Sequence, residues 1–256
     1  RTEGRIVFQG EDISDVSNAK LKELRKDMQI IFQDPYASLN PRMSIGDIIA
    51  EPLKIYKLCN SKTEREKKVH EIMDVVGLAE RTYSLYPHEL DGGRRQRVGI
   101  ARALALQPDF IVCDEPVSAL DVSIQAQILN LMQDLQEQSG LTYIFITHDL
   151  SVVKHISDEI CVMYLGNLVE KCPSDKLFEK QLHPYSQALL SAIPVAKTDA
   201  VRNRIILKGE ISSPIDPAPG CRFASRCLYA KPECFKTQPE FKEVEPEHFV
   251  ACHLFD

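Results

Sequence analysis

Apolar and polar positions change period along the chain, and each change marks an element. Arg5-Ile6-Val7-Phe8 predicts a short strand, with Gly10-Glu11-Asp12 as a turn behind it. Leu21 to Lys26 predicts a helix, and Met28-Gln29-Ile30-Ile31-Phe32 a short buried strand. Pro35, Asn40 and Pro41 then break regular structure. From Ile45 to Ala103 helical spacing dominates. Ile48, Ile49 and Leu53 share one face, and Val69, Ile72, Met73 and Val76 share another that Gly77 closes.

Two compact apolar runs follow, Phe110-Ile111-Val112-Cys113 and Tyr143-Ile144-Phe145-Ile146, each flanked by helical sequence. Neither alternates with polar residues, which predicts strands buried on both faces of a parallel sheet. A third run, Glu159 to Tyr164, meets a hairpin-like turn at Gly166-Asn167 and continues as Leu168-Val169-Glu170. After Leu182 the pattern dissolves. Pro184, Pro194, Pro214, Pro217, Pro219, Pro232 and Pro239 predict an irregular C-terminal appendage. The fold class is therefore α/β, and no internal repeat interrupts it.

Composition narrows the function classes. At 256 residues, 44% hydrophobic and 27% charged, the chain can bury a substantial core. A net charge of −6 argues against a dedicated nucleic-acid binder. No run approaches the roughly 18 apolar residues of a membrane span. Arg1-Thr2-Glu3-Gly4 does not read as a secretory signal, because no apolar stretch follows it.

Candidate chemistry collects at strand ends. The run from Phe110 finishes in Asp114-Glu115, and ligands of open α/β sheets bind beyond the carboxyl ends of strands. Asp114 is placed to hold magnesium and Glu115 to polarise an attacking water. A strand end with a helix-capping acid gives the same pattern. The run from Tyr143 finishes in Thr147-His148-Asp149, where His148 could reach a terminal phosphate or act as a cap. Between them, Asp91-Gly92-Gly93-Arg94-Arg95 opens a helix whose first amides and dipole suit an anion.

Taken together, Gly92-Gly93, Asp114-Glu115, Ser118-Ala119-Leu120-Asp121 and His148 resemble the ABC ATPase family, where they would be the signature loop, Walker B, D-loop and H-loop. Gln33 matches the Q-loop glutamine, which in that family senses the metal and meets the transport channel. Phe32-Gln33-Asp34-Pro35-Tyr36-Ala37-Ser38-Leu39-Asn40-Pro41 and His183-Pro184-Tyr185-Ser186-Gln187-Ala188-Leu189-Leu190, with Ala192-Ile193-Pro194 beyond, resemble the oligopeptide/dipeptide importer branch. The resemblance implies a RecA-like P-loop NTPase core over residues 1–40 and 106–182. It implies a helical subdomain at 41–105 and an extension at 183–256. It further implies ATP and Mg2+ (Asp114 and Gln33 on the metal, Glu115 and His148 catalytic), and Asp91, Gly92, Gly93, Arg94 and Asp121 at the dimer-shared nucleotide. The implied partners are a second ABC ATPase subunit, two membrane permeases and, indirectly, an extracellular substrate-binding protein. The implied location is the cytoplasmic face of the membrane. Oligopeptides, dipeptides and nickel chelates all suit this branch.

Two departures stand out. No glycine here is followed by lysine, so the Gly-Lys-Ser/Thr phosphate loop is absent from these residues. The family places that loop ahead of Arg5, and weak or absent ATP binding is expected of these residues alone. The family also has serine at Asp91 and glutamine at Arg94. A carboxylate facing a phosphate is unfavourable unless Arg94 or Arg95 offsets it. An asymmetric heterodimer with one slow site is the sharper expectation; the plainer one has Asp91 turned away and both sites competent.

Of eight cysteines, Cys59, Cys113, Cys161 and Cys172 read as reduced packing residues. Cys221, Cys227, Cys234 and Cys252 cluster in a proline-rich segment able to bury little core. Four thiolates suit zinc or an iron–sulfur cluster. Their spacing is not the paired Cys-x2-Cys of a zinc ribbon, and the importer branch resembles cases with a 4Fe-4S cluster. That cluster is the expectation, with zinc or unligated thiols as alternatives and His253 as a possible substitute ligand. Two other function classes remain open: a non-transport ABC ATPase, and a metal-binding module with a vestigial ATPase half.

Overall fold

The computed structural model describes residues 3–193, 204–210, 213 and 215–256. Arg1, Thr2, Pro194 and Pro214 lie outside them. The chain divides into two compact units, Arg1–His148 and Asp149–Asp256.

The first unit opens with a hairpin of β1 (Val7–Phe8) and β2 (Glu11–Asp12). Glu11 and Asp12 are thus a strand rather than the expected turn. Gln9 and Gly10, both at positive φ, make the reversal, and backbone pairing with Val7 and Phe8 overrides two residues of poor strand propensity. Ser17 caps α1 (Asn18–Asp27), which leads directly into β3 (Met28–Ile31). After a single-turn α2 (Pro35–Ser38) come α3 (Ile45–Ile55) and α4 (Lys62–Val75), each started by a serine whose hydroxyl accepts the third amide. Gly77, at φ 68°, ends α4 as its position in the sequence suggests. α5 (Gly92–Leu104) feeds β4 (Phe110–Asp114), and α6 (Val122–Ser139) feeds β5 (Thr142–Ile146).

β3, β4 and β5 form a parallel sheet in that order, with Ile31 beside Cys113 and Asp114 beside Ile146. The register brings the ends of all three strands to one edge. Ile111 and Cys113 are fully buried, but Ile144 and Ile146 of the edge strand β5 are 53% and 47% exposed. Along β4 and β5 the more buried side chains alternate with more open ones. The helical core of this unit comes from α3, α4, α5 and α6, through Ile48, Ile49, Val69, Met73, Ile100 and Ile128.

In the second unit α7 (Leu150–Ile156) precedes the antiparallel pair β6 (Glu159–Tyr164) and β7 (Asn167–Pro173). The expected hairpin forms, but its turn is Leu165-Gly166, both at positive φ, one residue earlier than Gly166-Asn167, because Asn167 pairs with Tyr164. Next come α8 (Ser174–Glu179) and α9 (Pro184–Ser191). The C-terminal appendage is less irregular than its prolines suggest. β8 (Phe241–Glu245) and β9 (His248–Ala251) form a hairpin that joins β7, giving the sheet order β6-β7-β9-β8. Ile160, Val162, Tyr164, Leu177 and Phe223 form its core. Glu170, fully buried on β7, accepts from the amides of Leu182 and His183 at 2.6 and 3.1 Å and faces His248 Nε2 at 2.7 Å. One carboxylate thus joins the sheet, the start of α9 and the final hairpin. Cys113 and Cys172 are buried, as expected of packing residues, whereas Cys161 is exposed.

Candidate active site

Parallel pairing of β4 with β5 sets Asp114 beside Ile146, and the chain then turns sharply. Glu115 adopts φ 45°, a left-handed conformation that costs about 1–3 kcal/mol for such a residue, and its amide donates to the Ile146 carbonyl at 2.9 Å. The Ser118 hydroxyl donates to the Glu115 carbonyl at 3.1 Å and braces the turn from below. Strain here aims the carboxylate away from the strand and into a polar network.

Two groups from neighbouring strand ends hold that carboxylate. Gln33 Nε2 donates to one oxygen at 2.9 Å, and His148 Nδ1 lies 3.0 Å from the other. The hydrogen bond from His148 is the main cause holding the Glu115 pKa below the usual carboxylate range, with Ser118 and Gln33 adding to it against the cost of burial. Glu115 is therefore ionised at neutral pH. His148 and Gln33 are both exposed, so the network is open to solvent.

The signature residues form a second group. Asp91 caps α5: its Oδ1 accepts the Arg94 amide at 2.8 Å and its Oδ2 lies 3.4 Å from Arg94 Nε. Arg94, not Arg95, is the arginine paired with Asp91. Arg95 instead donates from Nε to the Pro87 carbonyl at 2.9 Å and sits 5.2 Å over the Tyr36 ring. The glycines have a packing role that the sequence does not announce. A side-chain carbon on Gly92 would lie 3.2 Å from Leu120, and one on Gly93 only 2.6 Å from Ile124. Asp121 starts α6 without capping it by its side chain.

The cysteine segment lies within the second unit. Gly220, at φ 99°, lets the backbone pass against the Cys234 carbonyl, which accepts the Cys221 amide at 2.8 Å. The four thiols are close enough that charges on Cys221, Cys227 and Cys234 each oppose ionisation of Cys252, whose pKa burial has already pushed up to about 11. Backbone amides point at each sulfur: Phe223 and Ala224 at Cys221, Tyr229 at Cys227, Lys231 at Cys234 and Leu254 at Cys252. None of the four is in a disulfide. Among the described residues no three His, Cys, Asp or Glu side chains converge as ligands of one metal ion. His253 is not a substitute ligand, since Asp256 and the Thr237 carbonyl occupy its two ring nitrogens at 2.5 and 2.9 Å.

Comparison with known proteins decides among the function classes. The ABC transporter family model matches residues 1–118, and that of the oligopeptide/dipeptide transporter C-terminal region matches residues 169–234. The oligopeptide transport ATP-binding protein AppF of Bacillus subtilis is 55% identical over 99% of this chain and 78% of its own length. The chain belongs to the oligopeptide branch of the ABC transporter ATPases. OppF of Haemophilus influenzae is 52% identical over 98% of the chain and 76% of its own length. Among solved structures, the ATP-binding cassette MJ0796, a post-hydrolysis dimer with ADP and phosphate, superposes with a TM-score of 0.61. It is 31% identical, covering 68% of this chain and 74% of that one. The cbiO1 subunit of the Clostridium perfringens cbiONQ transporter gives a TM-score of 0.63 at 28% identity, over 70% of each chain. This ABC ATPase thus has the α/β fold expected of it, and Gln33 and His148 both meet the Glu115 carboxylate at the carboxyl edge of its parallel sheet. Among its described residues no helix is long and apolar enough to cross a membrane.

Proposed function

We propose that this ABC ATPase energises the import of oligopeptides or dipeptides, working at the cytoplasmic face of the membrane beneath two permease subunits. One observation carries the chemistry: a single ionised carboxylate, Glu115, fixed between Gln33 and His148 at the carboxyl edge of a parallel sheet. Glu115 orients and polarises the attacking water, and His148 steadies the terminal phosphate as charge builds. The hard oxygen donors of Asp114 and Gln33 suit Mg2+, which would neutralise phosphate charge there. Both groups that hold Glu115 are ones that nucleotide and metal must also engage. Entry of nucleotide therefore exchanges His148 and Gln33 from the carboxylate to the ligand and frees Glu115 for water.

Asp91 sets the partner. Serine and aspartate cap a helix equally well, so the capping bond does not explain the carboxylate. The Arg94 pair is exposed on both sides and offsets little of its charge. The second ATPase of the dimer is accordingly a different subunit whose signature completes the fast site over Glu115, while Asp91 slows the other. An extracellular binding protein supplies the peptide.

The extension carries the cluster expected from its cysteines. Four mutually interacting thiols, each faced by a backbone amide, suit a cubane that spreads charge over four irons. A lone zinc held tetrahedrally by the same four thiolates is the alternative, and iron, acid-labile sulfide and zinc content distinguish the two. The four-segment division at residues 40, 105 and 182 follows the same family pattern. Co-purification of the full-length subunit with two permeases, and ATP hydrolysis stimulated by peptide-loaded binding protein, is the expected result. Purification without permeases would favour a non-transport ATPase.

A further inference from the structure

Two arginines fasten the segment that carries Gln33 to the helix that carries the signature loop. α2 begins two residues after Gln33, and Asp34 caps it by accepting the Tyr36 and Ala37 amides at 2.8 and 3.2 Å. The Ser38 hydroxyl donates back to the Pro35 carbonyl at 3.1 Å, so this single turn is braced at both ends. From α5, Arg102 Nη1 donates to the Ser38 carbonyl at 2.7 Å. Two turns nearer the signature on the same face, Arg95 lies 5.2 Å over the Tyr36 ring while its Nε holds the Pro87 carbonyl. The Tyr36 side chain is 51% exposed, so burial does not account for an aromatic ring there.

We propose that Tyr36, Arg95 and Arg102 form a latch that makes the position of the signature loop depend on the position of Gln33. None of the three touches the Glu115 network; they are positioning residues. Because α2 is short and braced, a displacement of Gln33 is not absorbed in a loop. It passes through the Arg95 guanidinium over the Tyr36 ring and the Arg102 hydrogen bond into α5, which Asp91 caps and whose first turn holds Arg94. Movement of the signature loop travels back to Gln33 by the same two ties, as a coupling free energy between sites requires.

The inference rests on the importer reading and is tested in the full-length transporter assembled in liposomes, by measuring ATP hydrolysis and peptide moved per ATP. Tyr36→Leu keeps the bulk and loses the ring face. It is expected to leave hydrolysis within about twofold while peptide moved per ATP falls about fivefold, the lower end of typical coupling effects. Tyr36→Phe is expected to restore the ratio. Arg102→Lys, with a shorter and less directional donor, is expected to fall between them. An unchanged ratio in Tyr36→Leu, or hydrolysis and transport falling in parallel, overturns the latch. Glu115→Gln in the same liposomes reports separately on the importer reading. Uptake that survives it overturns that reading, whereas an unchanged ratio in Tyr36→Leu overturns the latch alone.

Discussion

Replacing Gly93 by alanine puts a methyl group against Ile124 of α6. The new carbon would stand 2.6 Å from Ile124 Cγ2. Carbon atoms settle at about 3.5–4.0 Å, so the helices must separate by about 1 Å or Ile124 must leave its rotamer. Overpacking of this kind costs about 1–3 kcal/mol. Alanine recovers at most about 1 kcal/mol of helix propensity relative to glycine, and less of it in a first turn. The clash wins, and a net loss of about 1–2 kcal/mol is expected. Urea unfolding of the chain, followed by far-UV circular dichroism, reads this directly. The decisive comparison is a cycle with Ile124→Ala: the double variant should recover at least about 1 kcal/mol relative to the sum of the singles. Gly93→Ala as stable as the parent, or costs that simply add, would refute the packing argument. The glycine would then be there only for its backbone amide.

Four further outcomes follow from the geometry. Glu115→Gln in the assembled transporter should lower hydrolysis by about 100-fold or more, with nucleotide still bound. Asp91→Ser together with Arg94→Gln should raise hydrolysis severalfold if the signature charge slows one site, and total turnover measures it. Glu170→Ala, which strips three donors of their buried acceptor, should destabilise by about 3–5 kcal/mol in the same unfolding assay. His183 is buried with its Nδ1 accepting the Tyr185 amide, and burial lowers its pKa to about 4. A base with a depressed pKa stabilises the fold above its unfolded value, and that stability is lost as pH falls from about 6.5 towards 4. The loss is about 3 kcal/mol, and His183→Asn, which keeps a cap without titrating, should flatten the profile.

Much of this was legible because the informative signals are local. Unbroken apolar runs marked β4 and β5, and acids or a histidine immediately after them marked the site edge. β8 and β9 escaped because Lys242, Glu243 and Glu245 dilute the strand pattern, and β7 rather than the hairpin's own composition secures it. Asp91 was recognised as a departure, yet its bond to Arg94 needed coordinates to separate Arg94 from Arg95. The tie between Arg102 and Ser38 spans 64 residues and joins an arginine to a backbone carbonyl, which leaves no side-chain pattern to find. The roles of Gly92 and Gly93 were half legible. A glycine pair opening a helix suggested amides for an anion, while the approach of Leu120 and Ile124 appeared only in three dimensions.

The central claim is that hydrolysis at Glu115 drives peptide across a membrane. Its most direct test is uptake of a radiolabelled peptide by proteoliposomes holding the full-length transporter, with ATP supplied on the ATPase side. Uptake above the external concentration that needs ATP and disappears with Glu115→Gln is the expected result. Peptide accumulating equally with and without ATP, or undiminished by Glu115→Gln, would contradict it.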